Sequence, residues 1–178
     1  MNMQNLSKST LIVLVGFMGS GKSTIGKHLA DGLGYAFIDT DEVIESAQKL
    51  SIPNIFEKYG EDYFRELEHQ TIKELLSSTN KVVATGGGLP VFHDNMILLN
   101  ENSFTIYIKA DTDTLSSRLM LNSGRPLIAG KTIEDLKNYI ENVIKIRERY
   151  YSKAYLTVNG NATVVEVLEE IHQAIANL

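Results

Sequence analysis

The chain has 178 residues, 43% hydrophobic and 22% charged, the proportions of one ordinary globular domain rather than a disordered tail or a fibre. Its 22 acidic residues outnumber 17 Lys and Arg, and the net charge of −5 argues against nucleic acid as a partner, so any polyanion must find a local basic site. The absence of cysteine excludes disulfides, thiol nucleophiles and cysteine zinc sites, and the four histidines make no HExxH or similar ligand spacing.

Met1 to Ser9 reads as a short polar extension. The apolar run Leu11 to Met18 falls well short of the ~18 residues of a membrane span. It also makes a poor signal peptide: only Lys8 supplies positive charge before it, no A-x-A pattern follows, and Gly-Ser-Gly-Lys stands where a cleavage site should be. A cytoplasmic protein without membrane association is expected.

The first predicted strand is Thr10 to Val15. Gly16-Phe17-Met18-Gly19-Ser20-Gly21-Lys22-Ser23 then fits G-x-x-x-x-G-K-[ST], and Ile25, Leu29 and Leu33 mark a helix behind it. A bare glycine-rich turn is the alternative, but the strand before and the helix after favour a phosphate-binding loop. Gly16, Gly19 and Gly21 let the backbone turn with its N–H groups inward, and the helix start adds partial positive charge. Gly19, Ser20, Gly21, Lys22, Ser23 and Thr24 are therefore expected around a nucleoside triphosphate. Lys22 would act as a point charge on the outer phosphates and the Ser23 hydroxyl as a Mg²⁺ ligand.

Further strands are predicted at Tyr35 to Asp39, Lys81 to Thr85, Phe104 to Lys109 and Tyr155 to Val158, short and apolar as in a parallel sheet covered on both faces. Asp39-Thr40-Asp41 ends the second, at the carboxyl edge where α/β folds bind ligands. Residues two apart on a strand share a side, so both carboxylates should face one cleft; a helix N-cap at either Asp is the alternative, given the helical Val43-Ile44. The stripe Phe64, Leu67, Thr71, Leu75 predicts a helix that carries Arg65 and, three residues on, Glu68, placed to orient the guanidinium or to form a surface ion pair. Gly86-Gly87-Gly88 after the third strand reads as a tight turn or as a close backbone approach to a ligand.

The segment 122–131 has two Gly, one Pro and two cations without helical period, a mobile loop. A helix from about Thr132 to Tyr150 follows, with Ile133, Leu136, Ile140, Val143, Ile144 and Arg147 on one side. A last helix opens on the capping-box sequence Thr163-x-x-Glu166. No internal repeat or linker interrupts this single α/β domain. Only five of the cationic residues are Arg, at 65, 118, 125, 147 and 149, and planar guanidinium groups at 65 and 147 suit bidentate capture of a carboxylate. A GTPase switch is disfavoured. Asn80-Lys81 is followed by Val82-Val83 instead of completing N-K-x-D, and the D-x-x-G of Asp31 to Gly34 precedes the second strand.

The phosphate loop, Asp39-Thr40-Asp41, Phe64-Arg65-x-x-Glu68, Gly86-Gly87-Gly88, Arg125-Pro126-Leu127 and Arg147-x-x-x-Tyr151 occur in the order and spacing of the shikimate kinases. The chain resembles that family from about Thr10 to Leu178. The resemblance implies a three-layer α/β P-loop fold: a parallel sheet of about five strands with helices on both faces, an acceptor-binding subregion near 42–78 and a mobile lid near 122–131. It implies an enzyme that phosphorylates the 3-hydroxyl of shikimate with ATP and one Mg²⁺ per subunit, Ser23 and Asp39 lying at the metal; nothing in the sequence demands an oligomer, and a monomer is expected. Asp41 would hold the acceptor hydroxyl, as positioner or base. Arg65 and Arg147 would bind the acceptor carboxylate, within a pocket lined by Gly86, Gly87, Gly88, Phe56, Phe64 and Glu68. Arg125 would reach the transferring phosphate, completing a catalytic set with Lys22 and Asp41. Arg118 resembles an adenine-stacking arginine, with a solvent-facing helix position as the alternative. Arg149 replaces a proline frequent in the family, so the helix is expected to run on, and both Arg147 and Arg149 stand as candidates for the carboxylate contact. Gluconate-type and nucleoside monophosphate acceptors are the rival readings.

Overall fold

The computed structural model describes residues 10–121 and 132–176. Strand β1 (Leu11–Val15) is buried along its whole length, and its two-residue alternation assigns the layers. Ile12 and Leu14 face α1 (Lys22–Leu33) and α7 (Val164–Ala176), in a core with Leu29, Val82, Ile106, Ile108, Val158 and Ile171. Leu11, Val13 and Val15 face the opposite layer of α3 (Ile52–Leu75), α4 (Asn95–Asn102) and the end of α6 (Ile133–Tyr151), through Ile72, Met96, Leu99 and Tyr151.

β2 (Ala36–Asp39), β3 (Lys81–Ala84), β4 (Phe104–Lys109) and β5 (Leu156–Asn159) complete an all-parallel sheet in the order β2-β3-β1-β4-β5. Each strand lies within one residue of its predicted place. Covering on both faces holds for β1, β3 and β4; the edge strands β2 and β5 are half-exposed. The chain leaves β1 toward one edge of the sheet and β4 toward the other, which opens a crevice at their carboxyl ends. Because β3 pairs between β1 and β2, residues 86–88 emerge beside both the loop after β1 and the start of α2 (Thr40–Gln48).

The Asp39/Asp41 expectation needs correction. The chain turns helical at Thr40, with Asp39 as N-cap accepting from the Asp41 N–H at 3.0 Å, so Asp41 occupies the first turn of α2 and strand alternation does not pair the two carboxylates. A short capping side chain meets the orphan N–H groups of the helix start better than another strand residue would. The long helix α3 breaks at Gly60, whose φ of 83° and ψ of 175° are open essentially to glycine alone. Helices α2 and α3 enclose a small core of their own around Ile44, Ile55 and Phe64.

A reciprocal capping box of Thr132 and Asp135 starts α6, which runs on through Tyr151 as Arg149 in place of proline allows. Helices α5 (Thr112–Leu121) and α6 pack through Leu115, Leu119, Leu136 and Ile140 around Phe17. The Thr163–Glu166 box caps α7 as expected. The expected lid at 122–131, with Arg125, lies outside the described residues. Among the described residues no helix is long and apolar enough to cross a membrane.

Candidate active site

The loop after β1 has positive φ at Gly16 (143°), Gly19 (83°) and Gly21 (102°), and Gly21 caps the first turn of α1. At Gly16 a side chain is excluded twice, by φ and by the Ile108 carbonyl 2.8 Å from the Cβ position. Lys22 is buried, its Nζ donating to the Gly16 and Phe17 carbonyls at 2.9 Å each, so the ammonium braces the loop it belongs to. Ser23 Oγ donates to Asp39 Oδ2 at 2.7 Å, while Asp39 Oδ1 caps α2. One carboxylate thus joins the phosphate loop to the helix that carries Asp41. Arg118 reaches over from α5 to the Ser20 carbonyl at 3.3 Å.

On the other side of the crevice the three glycines after β3 form a wedge. Thr40 is wholly buried, and its Oγ1 accepts from the Gly86 N–H at 2.9 Å, which ties the wedge to α2. A Cβ on Gly86 would lie 2.6 Å from Asp41 Oδ1 and 2.7 Å from Glu68 Oε1, so the missing side chain is what admits both carboxylates. Gly87 packs on the phosphate loop, and its carbonyl accepts from the Tyr151 hydroxyl at 2.5 Å. A Cβ on Gly88 would sit 2.9 Å from Arg65 Cζ.

Arg65 is nearly buried. Its Nη1 donates to Glu68 Oε2 at 2.5 Å, and Nε and Nη2 donate to Glu61 Oε1 at 3.1 and 2.8 Å. Its guanidinium carbon lies 4.4, 5.3 and 5.9 Å from the ring centres of Phe92, Phe64 and Phe56. Burial works against this charge, but Glu68 and Glu61 outweigh it and hold the guanidinium above the ordinary arginine value. Burial pushes the Glu68 carboxyl up to about 7 against the pull of Arg65; Asp41 adds to the rise and Arg147 opposes it. Tyr151 is likewise raised by burial, with Arg147 opposing.

The cleft, of about 1280 Å³, runs the length of this edge. Gly19 to Thr24, Asp39, Asp41, Phe56, Arg65, Gly87, Gly88, Arg118 and Arg147 all line it. Gly86, Glu68 and Phe64 do not line it. Gly86 and Glu68 stand behind Asp41 and Arg65, and Phe64 belongs chiefly to the α2–α3 core. Arg149 turns away, donating to the Tyr150 hydroxyl at 3.2 Å on the exposed side of α6, so Arg147 is the arginine of that helix on the cleft. Gly160, Ala162 and Val164, which follow β5, line the cleft as well.

Glu61 and Phe92 escaped the reading of the sequence, and Thr40 entered it only as the middle of Asp39-Thr40-Asp41, without a role. Glu61 stands four residues before Arg65, a spacing that helical geometry makes readable. Phe92 is 27 positions from Arg65 in sequence, and no local pattern connects the two.

Three comparisons bear on this geometry. The family model described as shikimate kinase matches residues 18–176. The shikimate kinase of Flavobacterium johnsoniae is 43% identical over 169 residues, covering 93% of this chain and 98% of its own. Among solved structures, shikimate kinase from Bacteroides thetaiotaomicron superposes with a TM-score of 0.91 at 31% identity, covering 94% of this chain and 99% of its own. The Acinetobacter baumannii shikimate kinase, solved in complex with shikimate, gives 0.87 at 34% identity, covering 94% and 93%.

Proposed function

The chain belongs to the shikimate kinase family, and from that premise we propose that its cleft transfers the terminal phosphoryl group of ATP to the 3-hydroxyl of shikimate, giving shikimate 3-phosphate and ADP. The observation that carries this reading is the distribution of charge along one cleft. The phosphate loop with Lys22, the guanidinium groups of Arg65 and Arg147, and the Asp41 carboxylate all line it.

The loop amides and Lys22 bind and orient the phosphates, and Lys22 stabilises charge as the bond to the leaving oxygen breaks. Asp41 holds the acceptor hydroxyl and takes its proton as the oxygen attacks. Arg65 and Arg147 hold the acceptor carboxylate in a chain whose net charge would otherwise repel an anion. Within the Arg65 fork Glu61 is the exchangeable partner: its side chain is 55% exposed, against 1% for Glu68. An incoming carboxylate displaces Glu61 from Nε and Nη2, while Glu68 keeps Nη1 in place. Arg118 flanks the nucleotide base, and Arg125, outside the described residues, supplies further charge at the transferring group.

The donor set suits Mg²⁺. Ser23 Oγ and the Asp39 carboxylate are hard oxygen ligands already paired beside the phosphate loop, and among the described residues no group of three His, Asp or Glu side chains forms a protein-only metal cage. Ser23 and Asp39 would hold the ion against the phosphate oxygens. When bound it neutralises phosphate charge and aligns the transferring group. Assignment to the cytoplasm, where ATP is supplied, and to a monomer, since one chain provides every residue named, belongs to the same proposal.

The test is ADP release from Mg·ATP with shikimate, gluconate or AMP. Strong stimulation by shikimate alone is expected, and Arg65→Ala should raise the shikimate KM at least tenfold with the ATP KM within about twofold, as loss of a charge-assisted contact to one substrate requires. Stimulation by gluconate or AMP instead, or equal losses for both substrates in the variant, would overturn the assignment.

A further inference from the structure

The role proposed for Arg65 requires its guanidinium to keep one plane while Glu61 gives way to a substrate carboxylate. Hydrogen bonds fix the edges of that plane but leave its faces to other groups. We propose that Phe92 is the positioning residue for Arg65, its ring packed under the guanidinium so that the fork stays aimed at the acceptor carboxylate during the exchange. Its centroid is 4.4 Å from Cζ, nearer than those of Phe64 and Phe56 and well inside the range of cation–π attraction. A planar guanidinium stacks on such a face in a way an ammonium does not. Phe92 does not line the cleft, so it acts through Arg65.

The backbone around Phe92 is held from both sides. It follows the 3₁₀ turn Leu89–Val91 and precedes His93 and Asp94, which have φ of 52° and 56°. Histidine and aspartate enter the left-handed region more readily than most non-glycine residues, and two in succession turn the chain sharply here. Asn95, which is wholly buried, ties the turn together: its N–H donates to the Phe92 carbonyl at 3.0 Å and its Nδ2 to the Leu89 carbonyl at 2.9 Å. With Nδ2 so placed, Asn95 Oδ1 accepts from His69 Nδ1 at 2.6 Å. His69 lies four residues after Arg65 on the same face of α3. The helix that carries the guanidinium thus also anchors the turn that packs the ring against it.

This inference rests on the reading of Arg65 as the acceptor carboxylate ligand, and the experiment separates the two. Steady-state kinetics on the full chain compare Phe92→Leu, Phe92→Tyr, Arg65→Ala and the Phe92→Leu/Arg65→Ala double variant. Leucine keeps apolar bulk and removes the π face; tyrosine keeps the face. Phe92→Leu should raise the shikimate KM about five- to tenfold, with kcat and ATP KM within about twofold. Phe92→Tyr should restore the KM, and in the Arg65→Ala background Phe92→Leu should change nothing further. A normal shikimate KM in Phe92→Leu, with Arg65→Ala impaired, overturns the role of Phe92 and leaves that of Arg65. A normal KM in Arg65→Ala overturns both. Loss of kcat and of both KM values together in Phe92→Leu would show general structural damage and overturn the positioning role.

Discussion

Gly88→Ala tests the proposed acceptor role of Arg65 without removing any side chain from the cleft. Gly88 has φ −86° and ψ −29°, a helical conformation that alanine adopts without strain, so the consequence is confined to the new methyl group. That methyl would meet Arg65 Nη1 first and lie 2.9 Å from Cζ and 3.0 Å from Nη2, where contacts are ordinarily about 3.5–4.0 Å apart, so the guanidinium must retreat by roughly 1 Å. The tip of a long side chain moves cheaply. The affected bonds are those to the exposed Glu61 and the buried Glu68, and a stability loss of about 1 kcal/mol lowers Tm by roughly 2–4 °C. Catalysis is less forgiving, because a binding group displaced by about 1 Å costs on the order of a hundredfold, or about 2.7 kcal/mol in kcat/KM. The assay is ADP release with shikimate varied at saturating ATP, paired with a thermal melt. Near-normal kcat/KM for shikimate with a folded variant would refute the inference that Gly88 is glycine to make room for Arg65.

The pH dependence of stability should carry the signature of Glu68. Its carboxyl titrates near 7 in the folded chain against an ordinary value of 4.5, so the folded state holds the extra proton between these values and stability falls as pH rises through that window, by on the order of 3 kcal/mol. Glu68→Gln should flatten that fall in melts from pH 4.5 to 7.5, and parallel profiles for the two proteins would discard the assignment. Asp39→Asn keeps a good N-cap for α2 but removes the charge beside Ser23, so the fold should persist while the Mg²⁺ needed for half-maximal activity rises about tenfold; an unchanged Mg²⁺ titration would remove Asp39 from the metal. Gly26→Ala should destabilise although alanine is the better helix former by about 1 kcal/mol, since its Cβ would come 2.5 Å from Phe37 Cε2 and 3.2 Å from Leu14 Cδ1 where α1 meets the sheet. A rise in Tm would show that α1 can shift.

The three glycines after β3 connect the two halves of the site. Gly86 is bonded to Thr40 and abuts Asp41, Gly87 rests on the phosphate loop and is held by Tyr151, and Gly88 meets Arg65. Three successive residues of backbone thus touch Asp41, the phosphate loop and Arg65 in turn. The same Tyr151 stands one helical turn after Arg147, so α6 sets both a wall of the cleft and the position of Gly87.

Local sequence carries whatever depends on near neighbours. The five strands were legible because a buried strand needs a short apolar run, and the phosphate loop because left-handed turns need glycine at fixed intervals. The Arg65–Glu68 pair was legible because residues three apart on a helix adjoin. Asp39 shows where this reading stops. Its place beside the phosphate loop followed from the end of β2, but its joint service as cap of α2 and partner of Ser23 depends on two residues 16 apart in sequence meeting within 2.7 Å. That meeting, the ring of Phe92 on Arg65 and the hydroxyl of Tyr151 on Gly87 all follow from the insertion of β3 between β1 and β2 and from the packing of α3 and α6 on one face of the sheet. The raised titration of Glu68 arises the same way, because it needs burial that no spacing of charges along a chain records. Contacts of this kind form only when distant segments are brought to one sheet edge, so the chemistry of individual residues was readable in the chain, and the distances that make them act together came from its packing.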